Sequence, residues 1–504
     1  MAALPSSMFP PALDTLEQDN LVQAIKDWSI ANGLAVRPPP AIAGNDPEGI
    51  LAINAPVTLF PSPFPKACFV QAKAIQQAYN ELYANISRDE GFLNALVQEV
   101  AGGDDFIANL WDVHLRVKKE GYVQNLSLGL FRSDYMVHHD SDGLQIKQVE
   151  FNTIASSFGG LSSQTSSLHR HLAATEYPLL QHPAVISSLD LPDNNSTTGL
   201  AAGLKAAFDA YGPSPNSHPT CVVFLVQDGE RNIFDQRHLE YALADTGAPV
   251  FRLPFSQILT RTSIPPADPL RPLLYHPPHN PSLTFEVAVA YLRAGYGPGD
   301  YASPSAWEAR YQVERSRAIA CPTVLTQLAG MKKVQQVLAT PGSDTLSRFV
   351  PDPNSLIAVR RTFTNIFPLD STPAGLEARK LATDPEACQR YVMKPQREGG
   401  GNNFYRGAIP EQLRAIPESH WGAHILMELI TPPPVANVIL RNGKLEQGGV
   451  ICELGVYGTC LWDQTGTGFL HNEESGYLLR TKGDQSEEGG VAAGYGCMDS
   501  VALV

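Results

Sequence analysis

Residues 394–405 form a segment that few folds can accommodate, because it places two cations, a carboxylate, three consecutive glycines and three amides within KPQREGGGNNFY. Adjacent glycines lose much conformational entropy on ordering, so a fold retains them where the backbone turns tightly or its N–H groups contact a ligand. Lys394 and Arg397 could bind the negatively charged oxygens of a polyphosphate. Glu398 could take part if Mg²⁺ lies between its carboxylate and the phosphate oxygens. The alternative is a glycine-rich surface loop without a ligand.

The size and charge of the chain limit its fold and its partners. Its 504 residues exceed what one hydrophobic core usually serves, which predicts two or more packed lobes. The formal net charge of -14 opposes a general affinity for nucleic acid or for anionic lipid. An anionic ligand therefore needs a local cationic pocket.

The beginning of the chain and its cysteines indicate a cytoplasmic protein. Residues 1–5 lack the pattern of a secretion signal, and no window approaches the roughly 20 apolar residues of a membrane span. We therefore expect no membrane partner. The seven cysteines are scattered and never spaced as CxxC, so neither a disulfide framework nor a zinc site is indicated, and we expect reduced core residues.

Periodicity predicts elements in the first part of the chain. Apolar residues at helical spacing, beginning with Val70, predict one core-facing helix between residues 68 and about 100. Residues 144–154 are typical of a strand on which Gln148, Glu150 and Asn152 share a face. Glu150 and Asn152 would then lie about 7 Å apart, close enough for one hard metal ion.

A change of composition near residue 212 begins a new region. A buried strand is predicted at 221–226, and strands then alternate with helical segments that include 234–244 and 285–294. This alternation predicts a small α/β domain with a parallel sheet up to about residue 320. One further helix carries Leu328, Lys332 and Lys333, and short strands at 425–429, 449–453 and 476–482 surround the glycine segment.

Two other groups of charged residues remain ambiguous by sequence alone. Arg132 precedes an aspartate by two positions, and an internal structural ion pair is the simpler explanation. Arg480 and Lys482 share a predicted strand face and could bind a carboxylate or remain solvated. No GxSxG, HExxH or GxxxxGK[ST] motif occurs, so serine hydrolase, zinc protease and P-loop classes have no support.

Six segments, in order and at similar spacing, resemble the eukaryotic glutathione synthetase family: 132–135 (RSDY), 150–160 (EFNTIASSFGG), 230–236 (ERNIFDQ), 394–403 (KPQREGGGNN), 478–482 (LLRTK) and 489–494 (GGVAAG). The resemblance runs from about residue 60 to the C terminus. It implies a homodimeric ligase that joins γ-glutamylcysteine to glycine at the expense of ATP. The implied fold is α/β, an α+β ATP-grasp core with an inserted smaller parallel-sheet α/β domain for substrate and a glycine-rich lid.

The implied domains follow the changes in composition. Residues 1–215 would form a helical region and the first part of the core, and residues 216–325 the substrate-binding domain. Residues 326–504 would complete the core and the lid, including the glycine-rich loop 394–405 and the alanine-rich loop 489–494.

The resemblance also implies roles for individual residues, with Arg132 and Arg480 as the catalytic ones. Mg²⁺ would be held by Glu150, Asn152 and Glu398. ATP would be bound by Lys332, Lys394, Glu398, Gly399, Gly400, Asn403, Tyr405, Met427, Glu428, Leu429, Ile430, Glu453 and Lys482. The substrates would be bound by Arg132, Ser157, Glu230, Asn232, Gln236, Arg293, Tyr296, Arg480, Lys482, Val491 and Ala492. Ala155 departs from the serine of the animal pattern, so only a backbone contact would survive there.

The chemistry of amide formation agrees with this composition. A carboxylate needs a leaving group better than oxide, and phosphorylation by ATP supplies one as an acylphosphate. Such a reaction needs cations, Mg²⁺ and a lid against water, but no covalent nucleophile. Two alternatives stay open: another ATP-grasp amide ligase with a different acceptor amino acid, and a non-catalytic nucleotide-binding regulator.

Overall fold

The computed structural model describes residues 9–39, 44, 46, 48–141, 143–179, 190–280, 282–399, 401–466, 468–486, 491 and 496–504. Two residues of the predicted site, Gly400 and Ala492, lie outside the described residues. Most of the predicted alanine-rich loop lies outside them as well.

The α-helices are numbered in chain order. They are α1 Thr15–Ala31, α2 Lys66–Ala74, α3 Gln76–Arg88, α4 Glu90–Val100, α5 Asp105–Glu120, α6 Gly159–Ala174, α7 Glu176–Leu179, α8 Ser196–Tyr211, α9 Ile233–Ala244, α10 Ile258–Arg261, α11 Pro304–Glu314, α12 Val324–Ala329, α13 Lys332–Ala339, α14 Thr345–Phe349, α15 Pro353–Thr362, α16 Pro373–Thr383 and α17 Ala408–Ala415. None of the described helices combines the length and the apolar character needed to cross a bilayer.

The strands are numbered in the same way. They are β1 Ala35–Val36, β2 Ile53–Asn54, β3 Val57–Thr58, β4 Ser62–Phe64, β5 Leu126–Asp140, β6 Gly143–Asn152, β7 Thr220–Val226, β8 Val250–Pro254, β9 Thr262–Ser263, β10 Leu274–Tyr275, β11 Phe285–Leu292, β12 Ile319–Cys321, β13 Ile366–Pro368, β14 Tyr391–Pro395, β15 Phe404–Tyr405, β16 His424–Glu428, β17 Val435–Arg441, β18 Lys444–Asp463, β19 Phe469–Gly483, β20 Cys497–Asp499 and β21 Val501–Leu503.

A seven-stranded sheet in the order β17-β3-β20-β19-β18-β5-β6 forms the centre of the molecule. Neighbouring strands pair antiparallel except β3 and β20, and β17 also pairs with β18, so five strands form a closed ring. Most of β5, residues 454–462 of β18 and residues 475–479 of β19 are buried, with apolar side chains packed on both faces. This sheet therefore provides a rigid floor for polar groups at the end of β6.

A six-stranded sheet within residues 220–321 follows the order β8-β7-β11-β10-β9, with β12 beside β11. Strands β7, β8, β11 and β12 run parallel, as predicted, whereas β9 and β10 pair antiparallel. The prediction of a helical segment at 285–294 is wrong, because residues 285–292 form the central strand β11. A strand buried on both faces is continuously apolar and lacks the alternation that identifies a strand.

A third sheet, β13-β16-β14-β15, is antiparallel and lies beside the central sheet. It has its own small core, in which Leu369, Met393, Leu413 and Leu426 are buried. The glycine segment leaves this sheet at the end of β14. We refer to residues 366–428 as the lid sheet and its helices.

Two helix predictions were too long. The segment from 66 to 100 is three helices, because the chain turns at Ile75 and again at Asp89, whose side chain accepts a hydrogen bond from Phe92 N at 3.0 Å and caps α4. Val70, predicted to face the core, is 55% exposed. The helix predicted around Lys332 is divided between α12 and α13 at Gly330 and Met331.

The cysteines behave as predicted. All seven are buried and unpaired. Burial raises the pKa of the Cys221 and Cys321 thiols above its ordinary value, so these thiols stay protonated and unreactive.

Candidate active site

Asp134 lies at the centre of a buried group of charged side chains on β5, β6 and β19. Its carboxylate accepts hydrogen bonds from Arg132 Nε at 2.6 Å and Nη2 at 2.8 Å, from Arg480 Nη2 at 3.0 Å and from Asn152 Nδ2 at 2.9 Å. Arg480 also forms an ion pair with Glu453. The structural ion pair considered from the sequence is therefore present, and it joins the two predicted catalytic arginines.

Antiparallel pairing explains why these side chains meet. Arg132 lies opposite Asn152, Asp134 opposite Glu150, and Arg480 opposite Glu453. Gly455 lies opposite Asp134, and a Cβ atom there would come within 2.7 Å of Arg132 Cδ. A glycine inside a strand often marks such a close approach, so Gly455 is a signal that sequence reasoning missed.

One prediction for β6 needs correction. Gln148 does not share the face of Glu150, because the pairing with β5 shifts by one residue between Asp134 and Tyr135. A bulge of this kind rotates the strand, and Gln148 instead donates a hydrogen bond to Ser133 Oγ at 3.0 Å.

Lys332 lies between the two predicted metal carboxylates. Its Nζ is 3.0 Å from Glu150 Oε2 and 3.9 Å from Glu398 Oε2. Burial alone would lower the pKa of Lys332, but the two carboxylates raise it above its ordinary value. Burial likewise opposes the ionisation of Glu150, yet Lys332, Lys394 and Arg480 hold the pKa of Glu150 at about 2. Glu150 is therefore an ionised acceptor at neutral pH.

Glu398 is less well compensated than Glu150. Burial raises the pKa of Glu398 to about 7, and the attraction of Lys332 offsets only part of this effect. Its Oε2 atom is buried and accepts no hydrogen bond within the described part of the chain. An unpaired buried carboxylate oxygen beside another carboxylate and the amide of Asn152 is a donor set that suits a hard divalent cation. No cluster of three or more His, Cys, Asp or Glu side chains with metal-binding geometry occurs among the described residues.

Lys394 occupies the end of β14, above β6. Its ammonium donates to the carbonyl oxygen of Val149 at 2.9 Å. Burial lowers the pKa of Lys394 to about 8, with Lys332 contributing in the same direction. A buried lysine with few anionic partners is suited to a phosphate, which would restore its ordinary charge state.

A cavity of about 730 Å³ opens between the lid sheet and the central sheet. Its lining includes the predicted metal ligand Glu150, the predicted catalytic Arg480 and most of the residues predicted to bind the nucleotide: Lys394, Gly399, Asn403, Tyr405, Met427, Glu428, Leu429, Ile430, Glu453 and Lys482. The lining combines apolar side chains such as Met427 and Ile430 with many polar and charged ones, which suits a ligand that has both an apolar and a charged part. Asn403 Nδ2 lies 3.3 Å from the Tyr405 hydroxyl, so the two predicted lid residues contact each other.

A second polar group is formed by residues predicted to bind the dipeptide. Arg293 Nη2 donates to Ser157 Oγ at 2.8 Å. Glu230 accepts hydrogen bonds from Asn232 N at 2.7 Å and from Gln236 Nε2 at 2.7 Å. The buried Oδ1 of Asn232 and Oε1 of Gln236 accept no hydrogen bond in the described structure. These oxygens are suited to an ammonium or amide donor of a ligand.

Arg132 connects the two groups. Its Nη1 donates to the carbonyl oxygen of Ser157 at 3.0 Å, and the Tyr457 hydroxyl donates to the same oxygen at 2.6 Å. Asp235, which sequence reasoning also missed, accepts from the backbone N–H groups of Phe158 and Gly160 at 2.7 and 2.8 Å. These hydrogen bonds thus hold the loop that carries Ser157 against Arg132 and Asp235.

The loop before α6 contains unusual backbone geometry. Ala155 and Phe158 have φ values of 50° and 75°, in the left-handed region that non-glycine residues rarely adopt. Such residues concentrate at ligand-binding sites, where the surrounding structure compensates the strain. The carbonyl of Ala155 accepts from Ser157 Oγ at 3.1 Å, so the site uses the backbone of Ala155.

Two predicted residues form no described hydrogen bond with these groups. Tyr296 lines a different cavity, of about 640 Å³, together with Gln227 and Asp300. Val491 is buried, but no contact with the charged groups is described for it.

Comparison with known proteins identifies relatives of this chain. The model of the ATP-binding domain of eukaryotic glutathione synthase matches residues 15–503. The chain is 41% identical to the glutathione synthetase large chain of Schizosaccharomyces pombe, covering 96% of this chain and 97% of that protein. It is 38% identical to glutathione synthetase of Homo sapiens, with 97% of each chain covered.

A solved structure gives the same fold. The apo form of a glutathione synthetase-like effector from Globodera pallida superposes with a TM-score of 0.74 over 98% of each chain, at 22% identity. The fold and the site define an ATP-grasp ligase, an ATP-dependent enzyme. Within that class, the chain belongs to the eukaryotic glutathione synthetase family.

Proposed function

We propose that this protein ligates γ-glutamylcysteine to glycine, consuming ATP and releasing glutathione, ADP and phosphate. The observation that carries the proposal is the position of Lys332, which lies between Glu150 and Glu398 beside the 730 Å³ cavity and the arginines of β5 and β19. A phosphate chain in this cavity would meet Lys332 and Lys394, while a carboxylate would meet Arg132 and Arg480. Both reactants would therefore converge on one point.

The nucleotide would occupy the cavity under the lid sheet. Met427 and Ile430 would contact the adenine, with the backbone of 428–429 beside it. Glu453 would accept a hydrogen bond from the ribose and exchange part of its contact with Arg480. Gly399, Asn403 and Tyr405 would close over the phosphates, and the proposal extends this role to Gly400.

Mg²⁺ would be held by Glu150, Asn152 and Glu398. When bound, the ion supplies positive charge to the phosphate oxygens. The unpaired Oε2 of Glu398 supports this assignment, because a buried carboxylate oxygen without a donor is costly unless a ligand satisfies it.

The dipeptide would lie with its γ-glutamyl end near Arg293, Glu230, Asn232 and Gln236, with Ser157 beside Arg132. The cysteinyl carboxylate would attack the γ-phosphorus of ATP to give an acylphosphate and ADP. Arg132 and Arg480 would stabilise the charge on the reacting carboxyl group. The amine of glycine would then attack the acyl carbon, and phosphate would leave as the amine loses a proton.

Lys482, which lines the cavity near Arg480, would lie at the acceptor end. Val491 and Ala492 are proposed for the acceptor end, and Tyr296 for the dipeptide, from the family resemblance. The domain limits 1–215, 216–325 and 326–504 and the homodimer are proposed on the same basis. The cytoplasmic location is supported by seven unpaired buried cysteines, which are typical of a reducing compartment.

A phosphate-release assay with ATP, Mg²⁺ and a panel of acceptor amino acids tests the function. We expect phosphate release only when γ-glutamylcysteine and an acceptor are present together. Release with the dipeptide and a different acceptor would identify another amide ligase, and nucleotide binding without any release would identify a regulator.

The same assay measures acceptor specificity. If the small residues of the segment 491–493 enclose the acceptor, an added methylene must displace backbone, so glycine should exceed β-alanine in kcat/KM by roughly 10- to 200-fold. A ratio at or below unity would contradict the role of this segment.

A further inference from the structure

Gln396 lies between two of the proposed ligands, Lys394 and Glu398, but its side chain points away from the nucleotide cavity into the protein. Its Oε1 accepts a hydrogen bond from Lys333 N at 3.0 Å, and its Nε2 donates to the carbonyl oxygen of Ala423 at 2.9 Å. The side chain is 3% exposed. The buried amide of Gln396 therefore links three parts of the chain, which are the glycine segment, the beginning of α13 and the residue that precedes β16.

The first of these bonds replaces a missing helix cap. Helix α13 begins at Lys332 and has no side-chain cap of its own at Met331. The first N–H groups of a helix have no partner within the helix, and an unmet buried donor is destabilising. Gln396 satisfies one of them from a distant segment, so the position of α13 depends on the glycine segment.

Helix α13 carries Lys332 at its first position, and this lysine contacts both Glu150 and Glu398. We propose that Gln396 is a positioning residue, which fixes Lys332 relative to Lys394 and Glu398 so that the three groups address one polyphosphate. The inference rests on the proposed function, because it assumes that these groups bind ATP.

A second tie to the same helix works independently of Gln396. Lys333 Nζ is 2.8 Å from Glu99 Oε2 and 3.2 Å from Asp370 Oδ2, so its ion pairs join α13 to α4 and to the lid. These contacts hold the helix against the body of the protein. Among the described contacts, the beginning of α13 is linked directly to the glycine segment by the Lys332–Glu398 ion pair at 3.9 Å and by the hydrogen bond of Gln396, which fixes the backbone of the helix.

The test compares Gln396→Met with a matched control, Gln336→Met. Gln336 is a buried amide on the same helix, but its Nε2 bonds only Thr340 Oγ1, at 3.1 Å. Each substitution keeps the side-chain volume and removes buried hydrogen bonding. Calorimetric titration with a non-hydrolysable ATP analogue and Mg²⁺, without γ-glutamylcysteine, measures nucleotide affinity apart from catalysis.

We expect Q396M to raise the Kd of the analogue by about tenfold or more, and Q336M to change it by less than about twofold. Equal Kd values for the two variants, with similar losses of melting temperature, would overturn the inference and leave Gln396 a purely structural residue. If Q396M does not fold, Q396N takes its place, since it keeps an amide but is too short to reach both partners.

A double-mutant cycle with Lys332→Met tests whether Gln396 affects nucleotide binding through Lys332. If Gln396 acts through Lys332, adding Q396M to K332M should weaken binding much less than Q396M does alone. Additive losses would overturn the inference. Absence of analogue binding by the unaltered protein would instead contradict the proposed function, so the two failures are distinguishable.

Discussion

The buried carboxylates of the site differ in how completely their oxygens are paired with donors. Asp134 balances Arg132 and Arg480, whereas Glu398 has an oxygen without a donor. A fully paired carboxylate stabilises the fold, and an incompletely paired one is poised for a ligand. These two situations lead to opposite expectations for substitution.

Replacing Glu398 by Gln should lower kcat by at least about two orders of magnitude and leave the fold intact. The change removes the charge of a proposed metal ligand at nearly constant volume, and metal charge stabilisation is worth several kcal/mol. Steady-state kinetics and thermal unfolding measure the two effects. Glu411→Gln, at an exposed carboxylate of α17, is the control. Activity near that of the unaltered protein at saturating Mg²⁺ would make Glu398 an ordinary loop residue.

Arg132→Ala and Asp134→Asn separate catalysis from structure. Both break the same buried ion pair, so each should lose stability, by roughly 3–5 kcal/mol if no other partner compensates. Only R132A removes the guanidinium that would face the substrate carboxylate, so we expect it to reduce kcat/KM for γ-glutamylcysteine by about two orders of magnitude more than D134N. Equal kinetic losses in the two variants would favour a purely structural pair.

Helix α6 shows how one element fixes several others. His169 is fully buried, its Nε2 donates to the carbonyl oxygen of Thr58 at 2.9 Å, and its Nδ1 accepts from Ser500 Oγ at 2.7 Å. The helix thus joins β3 to the C-terminal residues through one neutral imidazole. Burial lowers the pKa of His169 to about 4, although the Thr58 carbonyl acts in the opposite direction.

This burial predicts a pH dependence of stability. The folded-state pKa of His169 lies below the unfolded value of 6.5, so the unfolded state binds the proton more tightly. The neutral, buried imidazole of His169 therefore contributes about 3 kcal/mol to the free energy of unfolding above pH 6.5, and this contribution is lost as the pH falls towards 4. Denaturant unfolding of His169→Gln between pH 7.5 and 4.5 should show a flatter curve. His171→Gln, at an exposed position of the same helix, should leave the pH dependence of stability unchanged. Parallel curves for H169Q and the unaltered protein would contradict the expectation.

Helices and strands could be predicted from the sequence where their hydrophobic periodicity was clear. The prediction failed where burial of both faces removed that periodicity. The strand at 221–226 and the helix at 234–244 are confirmed as β7 and α9. Residues 285–292 were taken for a helical segment because both faces of β11 are covered, so its sequence carries no alternation. The break between α12 and α13 was missed because Met331 is apolar and fits the helical pattern.

At the scale of the whole molecule, the central sheet and the lid sheet face each other across the cavity, and ATP-dependent glutathione synthesis by an ATP-grasp ligase is confirmed by the family to which the chain belongs. The motifs at 150–160 and 394–403 lie where β6 and β14 end, and their charged residues Glu150 and Lys394 line the cavity. The contacts of Asp134 with Arg480 and Asn152, and those of Asp235, could not be assigned in this way. Their importance arises from contacts between segments distant in the chain, such as Asp235 with the backbone of Phe158.

The central claim is that the cysteinyl carboxylate is phosphorylated by ATP before glycine attacks. The most direct measurement uses γ-glutamylcysteine labelled with ¹⁸O in both oxygens of that carboxylate. The mechanism transfers one of these oxygens to phosphate when the acylphosphate is cleaved and leaves the other in the new amide. Mass spectrometry should therefore find one labelled oxygen in each phosphate released, in step with glutathione. Unlabelled phosphate, with glutathione formed, would contradict an acylphosphate and with it the roles given to Arg132 and Arg480.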